Sequence, residues 1–524
     1  MAPRNRRVLG LLGVVVVIIL IVLIAGSGGQ AATPPATGAA SIVPSDALAY
    51  IHVSTDPSRP SVPSALSLAA RFPGYRTLRD GLMARLGVTG PGVAVDFARD
   101  VRPWLGKEIA LALFDTPTTT SGSLIVVGIG NRRQAKRFIA GLPSDGTATY
   151  KGTTITGHPK ALDTAFVGRY LVIGHSASIR AAIDVAAGRA PSLRANPSYQ
   201  RATTSEPAAR AADAYISATG VTRLIAARTG IVGEIGALLY QPTLVGVAFA
   251  LTPASGGFQV HVKSVFNPAL TRGNAPSFVP SLVSAVPSGA ALFLDVTNLN
   301  RLFPRVVRTI GIGARIPKLL LKLGIALTAQ GVNVHRDIVS LFQRESAVVI
   351  ARHGDAPVLT VLTHTSAPNV TRRVFAQLEV PLEQLFAPAG NAAGQAPLFN
   401  QVTVGGVDAH QLVLAPGLQF DYAVSGHELL LSTSLQGIAS VAHHARSLLD
   451  DTAYRLTLGN HPARVTSLLF LDLNQLLSLG EQTGLITGTR YRALKPDLER
   501  VHAIGLDSTS GEAESTAELF LQIP

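Results

Sequence analysis

The sequence predicts an α+β fold: two tandem homologous repeats, each a mostly antiparallel sheet covered by helices, behind an N-terminal transmembrane helix. Three observations predict it. An uninterrupted apolar run stands near the N-terminus, one pattern of strands and helices occurs twice, and within each copy hairpins and consecutive strands outnumber strand–helix–strand units. The last feature argues for antiparallel pairing with helices laid on one face of the sheet.

The apolar run Val8 to Ala25 (VLGLLGVVVVIILIVLIA) follows Arg4, Arg6 and Arg7. At about 1.5 Å rise per residue it approaches the ~30 Å hydrocarbon core of a bilayer. β-branched residues dominate it and it has no polar face, unlike the helix of a soluble core. It exceeds the roughly 7–15 apolar residues of a signal peptide. That favours an uncleaved anchor, although the small residues from Gly29 to Ala32 would permit a cut. The Arg cluster should stay in the cytoplasm and send the remainder outward. The expected product is a single-pass protein of the cell membrane with an extracytoplasmic C-terminal bulk. Its expected layout is a basic cytoplasmic stub at 1–7, a transmembrane helix at 8–26 and a flexible tether at 27–41. The first repeat then covers 42–266, a linker 267–279 and the second repeat 280–524.

The duplication opens with IVPSDALAYIHVSTD from Ile42 and AVPSGAALFLDVTNL from Ala285. Ala49, Ile51 and Val53 correspond to Leu292, Leu294 and Val296, an alternation that reads as a half-buried strand. A basic helical region follows in each copy, then Asp100 or Asp337, then a strand carrying Glu108 or Glu345. Next comes a strand leading to a helix: SLIVVGIGNRRQAKRFIAGL in one copy, PVLTVLTHTSAPNVTRRVFAQL in the other. Ala135, Phe138, Ile139 and Leu142 share one helical face. Asn131 and Ser366 suit N-caps, and Pro368 suits a first turn. Lys151-Gly152 and Gly405-Gly406 mark hairpin turns needing positive φ. A strand and short helix then place Ile179, Ala182, Ile183 and Ala186 against Ile438, Val441, Ala442 and Ala445, at spacing i, i+3, i+4, i+7 in both. Asn196-Pro197-Ser198-Tyr199 parallels Asp451-Thr452-Ala453-Tyr454, and each copy closes with strands.

Composition bounds the chemistry. The 524 residues are 47% hydrophobic and 15% charged, enough to build large cores and too apolar for disorder. The formal net charge of +13 comes mainly from Arg spread along the chain rather than clustered with aromatics, so nucleic acid is not an expected partner. With no Cys, disulfides, thiolate metal sites, Cys nucleophiles and a lipidated Cys anchor are excluded.

The motifs give no catalytic, cofactor-binding or metal-binding residue to commit to. GHSAS (Gly174 to Ser178) lacks the final Gly of a nucleophile elbow, and Ser176 reads as an N-cap for the helix containing Ile179. Gly128-x-Gly130 has Arg133 where a dinucleotide fingerprint needs its third Gly, so a tight turn is expected. His443-His444 would point about 100° apart on a helix and chelate poorly. Glu108 and Glu345, like Asp100 and Asp337, could do acid–base work as paired carboxylates, but their recurrence fits strand ends or turn caps. The most unusual feature is the basic helical region: Arg301, Arg305, Arg308, Arg315, Lys318 and Lys322 without an acid, and Arg71, Arg76, Arg79 and Arg85 with Asp80 in the first copy. Such helices can rest on anionic lipid or a cell-wall polymer.

The segments VPSDALAYIHVSTDP, DVRPWLGKEIALAL, QAKRFIAGL and YLVIGHSAS together resemble the DUF3352 family. The resemblance covers most of the chain after the anchor. It implies a bacterial, often actinobacterial, envelope protein with an N-terminal membrane segment, and it brings no catalytic or binding residues. The expectation is therefore a membrane-anchored, non-enzymatic binding or scaffold module of the cell envelope. The alternatives are a carrier of lipid or another apolar ligand, and an extracytoplasmic hydrolase. No cofactor is expected, and the sequence names no protein partner.

Overall fold

The computed structural model describes residues 33–74, 89–90, 93–94, 97–116, 119–159, 162–226, 242–270, 276–300, 338–354, 356–386, 397–415, 417–484, 486 and 488–524. The expected transmembrane helix at 8–26 lies outside these residues. So do Asp337, Arg76, Arg79, Asp80, Arg85 and the basic stretch from Arg301 to Lys322. Among the described residues no helix is long and apolar enough to cross a membrane. The chain divides into two compact units, Met1–Gly273 with Gly511–Leu519 and Ile523–Pro524, and Asn274–Ser510 with Phe520–Gln522. Residues Gly511–Leu519, expected in the second repeat, group with the first unit. There Lys263 meets Glu514 at 3.0 Å and Gln259 donates to Glu518 at 3.0 Å.

The first unit is a mixed α/β body built on an antiparallel sheet. Its strands are β1 (Ala49–Ser54), β2 (Leu105–Thr116), β3 (Thr119–Ile129), β4 (Gly146–Tyr150), β5 (Thr153–Gly157), β6 (Asp163–Val167), β7 (Tyr170–Gly174), β8 (Ala212–Ser217), β9 (Leu244–Ala254) and β10 (Gly257–Phe266). Pairing runs β4-β5-β6-β7-β3-β2-β1-β8-β9-β10, antiparallel throughout. The β4–β5 hairpin turns on Lys151 and Gly152 at φ 47° and 82°. Both residues thus adopt the left-handed conformation of a tight two-residue turn, which the glycine accepts freely.

Helices cover both faces of this sheet. On one face Tyr50, Ala112, Phe114, Leu124 and Val172 pack with Ile179, Ala182 and Ile183 of α3 (Ser176–Ala186) and Tyr199 of α4 (Pro197–Thr203). On the other, Val127 and Leu171 pack with Trp104 and with Ala135 and Ile139 of α2 (Arg132–Ala140), while Ala49, Ile216 and Val247 pack around Val221. A further helix, α1, covers Ser61–Ala69. Single-faced cover and the half-buried reading of β1 are thereby corrected: every residue of β1 is buried. Its polar member His52 faces the interior, where Asp213 partners Nδ1.

The second unit has strands β11 (Ala290–Thr297), β12 (Glu345–His353), β13 (Ala356–His364), β14 (Phe399–Val404), β15 (Val407–Ala415), β16 (Leu418–Ser425), β17 (Glu428–Ser432), β18 (Ser467–Asp472) and β19 (Ala503–Ser510). They pair as β14-β15-β16-β17-β13-β12-β11-β18-β19, again antiparallel. Gly405 and Gly406, at φ 55° and 72°, turn the β14–β15 hairpin. One face packs Phe293, Val349, Leu430 and Phe470 under Ile438 and Val441 of α6 (Leu435–Ala442) and Tyr454 and Leu458 of α7 (Thr452–Leu458). The other packs Tyr422, Val424 and Leu429 under Phe375 and Leu378 of α5 (Pro368–Phe386).

Of the two expected caps Asn131 holds its position, whereas the start of α5 at Pro368 puts Ala367, not Ser366, in the cap position. Asn131 accepts the Gln134 N–H at the start of α2. Asn196 and Asp451 each accept two N–H groups, at the starts of α4 and α7, and so satisfy donors a helix leaves open.

Candidate functional site

The first unit concentrates its buried charge where β1, β2 and β8 meet. His52 lies opposite Asp213 across the β1–β8 pair and on the same sheet face as Glu108, two pairs along β2. His52 Nδ1 donates to Asp213 Oδ2 at 2.8 Å, and Arg210 Nε donates to the same oxygen at 3.0 Å. Arg210 Nη2 also meets Glu206 Oε2 at 3.0 Å. His52, Asp213 and Arg210 are each no more than 7% exposed, and the Glu206 side chain is 4% exposed. Burial by itself would push His52 down, but the Asp213 carboxylate overrides it and holds the imidazole above its usual value. Burial would raise Asp213, and His52 and Arg210 together pull it below the usual range. Glu206 goes the other way. Burial and the neighbouring Asp213 raise it more than Arg210 lowers it, so Arg210 serves one ionised and one protonated acid.

Glu108 lies beside this network and turns away from it. Its Oε2 is 3.8 Å from His52 Nε2, too far for a hydrogen bond, so the two interact through charge alone. The carboxylate instead accepts the Ala39 N–H at 2.9 Å, the Tyr170 hydroxyl at 2.9 Å and Arg169 Nη2 at 3.3 Å. Ala39 belongs to a 3-10 turn, Gly38–Ser41, in the chain leading into the fold. Arg59 holds the same lead segment upstream, donating through Nε to the Thr33 carbonyl at 3.1 Å. Glu108→Ala is expected to cost the first unit about 1.5–3 kcal/mol, as charged hydrogen bonds do when broken. It should also open residues 33–42 to proteolysis, read by urea unfolding and by mapping the new cleavage.

The second unit carries a different set. Asp295 occupies β11 opposite Leu468 and Ala347, and it is fully buried with no protein donor on either oxygen. Burial, then the nearby Glu345, push it up to about 9, so it stands as a neutral acid near Glu345. Glu345 accepts Ser281 N–H at 2.6 Å and Leu282 N–H at 2.9 Å, ahead of the 3-10 turn Leu282–Ala285, and Ser281 Oγ at 2.7 Å. Burial opposes ionisation, but His364 and the Ser281 and Leu282 donors outweigh it and bring Glu345 down to about 2. Of the two carboxyls Asp295 thus keeps its proton and Glu345 is ionised. Ser281, His364 and Glu345 do not form a nucleophile relay. Ser281 Oγ and Glu345 both face the same ring nitrogen, Nε2, at 2.8 and 3.5 Å, whereas a relay needs the acid on the opposite nitrogen.

Glu108 and Glu345 therefore both receive the N–H groups of a turn, the role their recurrence suggested. Asp100 pairs with Arg99 at 2.7 Å, and its carbonyl accepts the Trp104 indole at 2.8 Å. Ser176 is the first helical residue of α3; His175 holds the cap position, and neither side chain makes a cap bond. Gly128 and Gly130 form no turn around a ligand. Gly128 pairs with Tyr170 in the sheet, and Gly130 N–H donates to the Trp104 carbonyl at 2.8 Å. His443 ends α6, while His444 faces the Val441 and Ser284 carbonyls. Among the described residues no cluster of three or more His or carboxylate groups could hold a metal ion. Sequence reading passed over His52, Asp213, Arg210, Glu206 and Asp295. Their signal was a charged residue at an inward position of an apolar strand, in AYIHV, ADAYI and LFLDV.

The family profile described as "Protein of unknown function (DUF3352)" matches residues 8–523. The chain belongs to the DUF3352 family. No curated protein matches the sequence. Among solved structures, crystal form I of TP0453 is similar at 12% identity and TM-score 0.27, over 44% of this chain and 80% of that one. Crystal form III of TP0453 gives 14% identity and TM-score 0.26, over 45% and 82%. Likeness at that level transfers no site to the DUF3352 chain, whose charged groups must be read on their own geometry.

Proposed function

We propose that this DUF3352 protein is a membrane-anchored, extracytoplasmic, non-enzymatic module of the cell envelope, made of two duplicated units that present a binding or scaffolding surface. The observation that carries the reading is the clasp at Glu108. Its carboxylate, the best-placed acid in the first unit, is committed to Ala39, Tyr170 and Arg169. It fastens the segment that follows the apolar run to the body of the sheet. A charged group so used holds a chain segment in place and has no open side from which to serve a substrate. The same strand order in both units, and a Glu receiving the lead turn in each, support their origin by duplication. The closed apolar layers on both faces of each sheet favour a surface role over carriage of an apolar ligand inside.

Topology reporters test the placement. A C-terminal alkaline phosphatase fusion should be active and a C-terminal green fluorescent protein fusion dark, with the chain staying in the membrane fraction after alkaline carbonate extraction. Cytoplasmic fluorescence, or release by carbonate, overturns the reading.

A further inference from the structure

Helix α2 exposes Arg132, Arg133, Lys136 and Arg137, the last three on the side away from its core residues Ala135 and Ile139, and it has no acid. Among the described residues none of the four basic side chains meets a carboxylate. Arg132 instead donates to the Gly168 carbonyl at 2.5 Å and lies over the Phe166 ring at 5.5 Å. This arrangement works against the helix. Arg132 and Arg133 sit in its first turn, against the positive end of the helix dipole. Arg132 with Lys136, and Arg133 with Arg137, are like charges four residues apart, which repel. A helix built this way gains from an anion outside the fold.

The position of the helix indicates which anion. The turn between β6 and β7, residues Gly168 and Arg169, joins the face to the clasp: Gly168 receives Arg132, and Arg169 reaches Glu108 at 3.3 Å. Gly38 lies so close that a Cβ there would collide with the Arg169 guanidinium and the Tyr170 hydroxyl. The basic face and the point where the lead segment is fixed thus lie on opposite faces of the sheet and meet at this turn. Gly38 follows Ala25, the last residue of the apolar run, by thirteen positions. A fully extended chain of that length spans at most about 45 Å, and a relaxed one much less. An anchored chain holds this face near the bilayer surface at high local concentration.

We propose that the α2 face, with the Gly168–Arg169 turn, docks on anionic lipid headgroups of the leaflet in which the chain is anchored. The inference rests on the anchored reading above. Each basic residue near an anionic leaflet strengthens association by roughly fivefold, and the effect falls away within a Debye length.

The test uses the full chain in nanodiscs. Because the sequence has no Cys, an Ala140→Cys variant takes one fluorophore, at an exposed position at the end of α2. Discs contain phosphatidylcholine alone or an equimolar mixture with phosphatidylglycerol, each with a headgroup-bound spin-labelled quencher. Quenching is expected in anionic discs and should fall several-fold in neutral ones. It should also fall in ~1 M salt, where the Debye length is about 3 Å, and in an Arg133→Glu, Lys136→Glu background. Equal quenching in both lipids, insensitivity to the charge reversals, or no quenching in discs that carry the chain would each overturn the proposal, the last pointing to a polymer outside the membrane. Failure of the anchored reading is seen separately, as a chain that does not co-purify with discs of either composition.

Discussion

Asp213→Ala is expected to lower the stability of the first unit by about 3–5 kcal/mol, the cost of removing one partner from a buried ion network. The loss has little to do with the contacts the carboxylate makes. It follows from leaving His52 and Arg210 charged in the interior, where Asp213 Oδ2 now receives both at 2.8 and 3.0 Å. Removing the charges together should cost far less. A His52→Leu, Asp213→Leu, Arg210→Met triple variant, which also leaves Glu206 as the neutral acid it tends to be, is expected to recover most of the loss. Urea unfolding of the full chain, followed by proteolysis confined to the first unit, distinguishes the two variants. A single variant as stable as the natural chain would show that the network adds nothing.

The second large effect concerns pH. Asp295 is held at about 9, far above its ordinary 3.8. A raised value means that the folded unit keeps a proton the unfolded chain releases. Its contribution is complete below about pH 4 and is lost as pH rises through 9. Glu345, held at about 2, works oppositely: its contribution is present above its ordinary range and disappears as pH falls through 2. Asp421, buried and raised to about 7, adds a loss between its ordinary range and neutrality. The second unit should therefore weaken steadily from pH 5 towards 9. Asp295→Asn removes the titration. It should stabilise the unit by on the order of a few kcal/mol near pH 8 and flatten the slope. Thermal unfolding across this pH range checks it, and a variant with an unchanged slope would refute the protonated Asp295. The first unit differs. Its elevated His52 loses its contribution as pH rises, and its depressed Asp213 loses its own as pH falls, so that unit should be most stable in between.

The local parts of this fold were legible because short-range physics sets them. The i, i+3, i+4 apolar spacing placed α3 and α6 against their sheets, while the i+7 positions Ala186 and Ala445 stay exposed, Ala445 beyond the end of α6. Gly152, Gly405 and Gly406 turned hairpins because other residues resist positive φ. Asn131 capped α2 because a short acceptor at the cap position reaches the free N–H groups. The alternation of AYIHVS misled for a definite reason. Period two says that His52 lies on the face opposite Ile51, but not whether that face meets water or a second helical layer. Ser176 misled similarly, because a helix start is uncertain by one residue and His175 took the cap position.

By itself the sequence determined the antiparallel character of the sheets, their covering helices, the hairpin turns, the family, and the position of Glu108 and Glu345 at turns. Each depends on residues close together in the chain or on a pattern repeated along it. Only the tertiary structure decided that helices close both faces, that His52 meets Asp213 across 161 residues, and that Asp295 keeps its proton. Those outcomes depend on which distant side chains burial brings together. Once water is excluded, the charge state of each group is set by its new neighbours, and no window of sequence contains them.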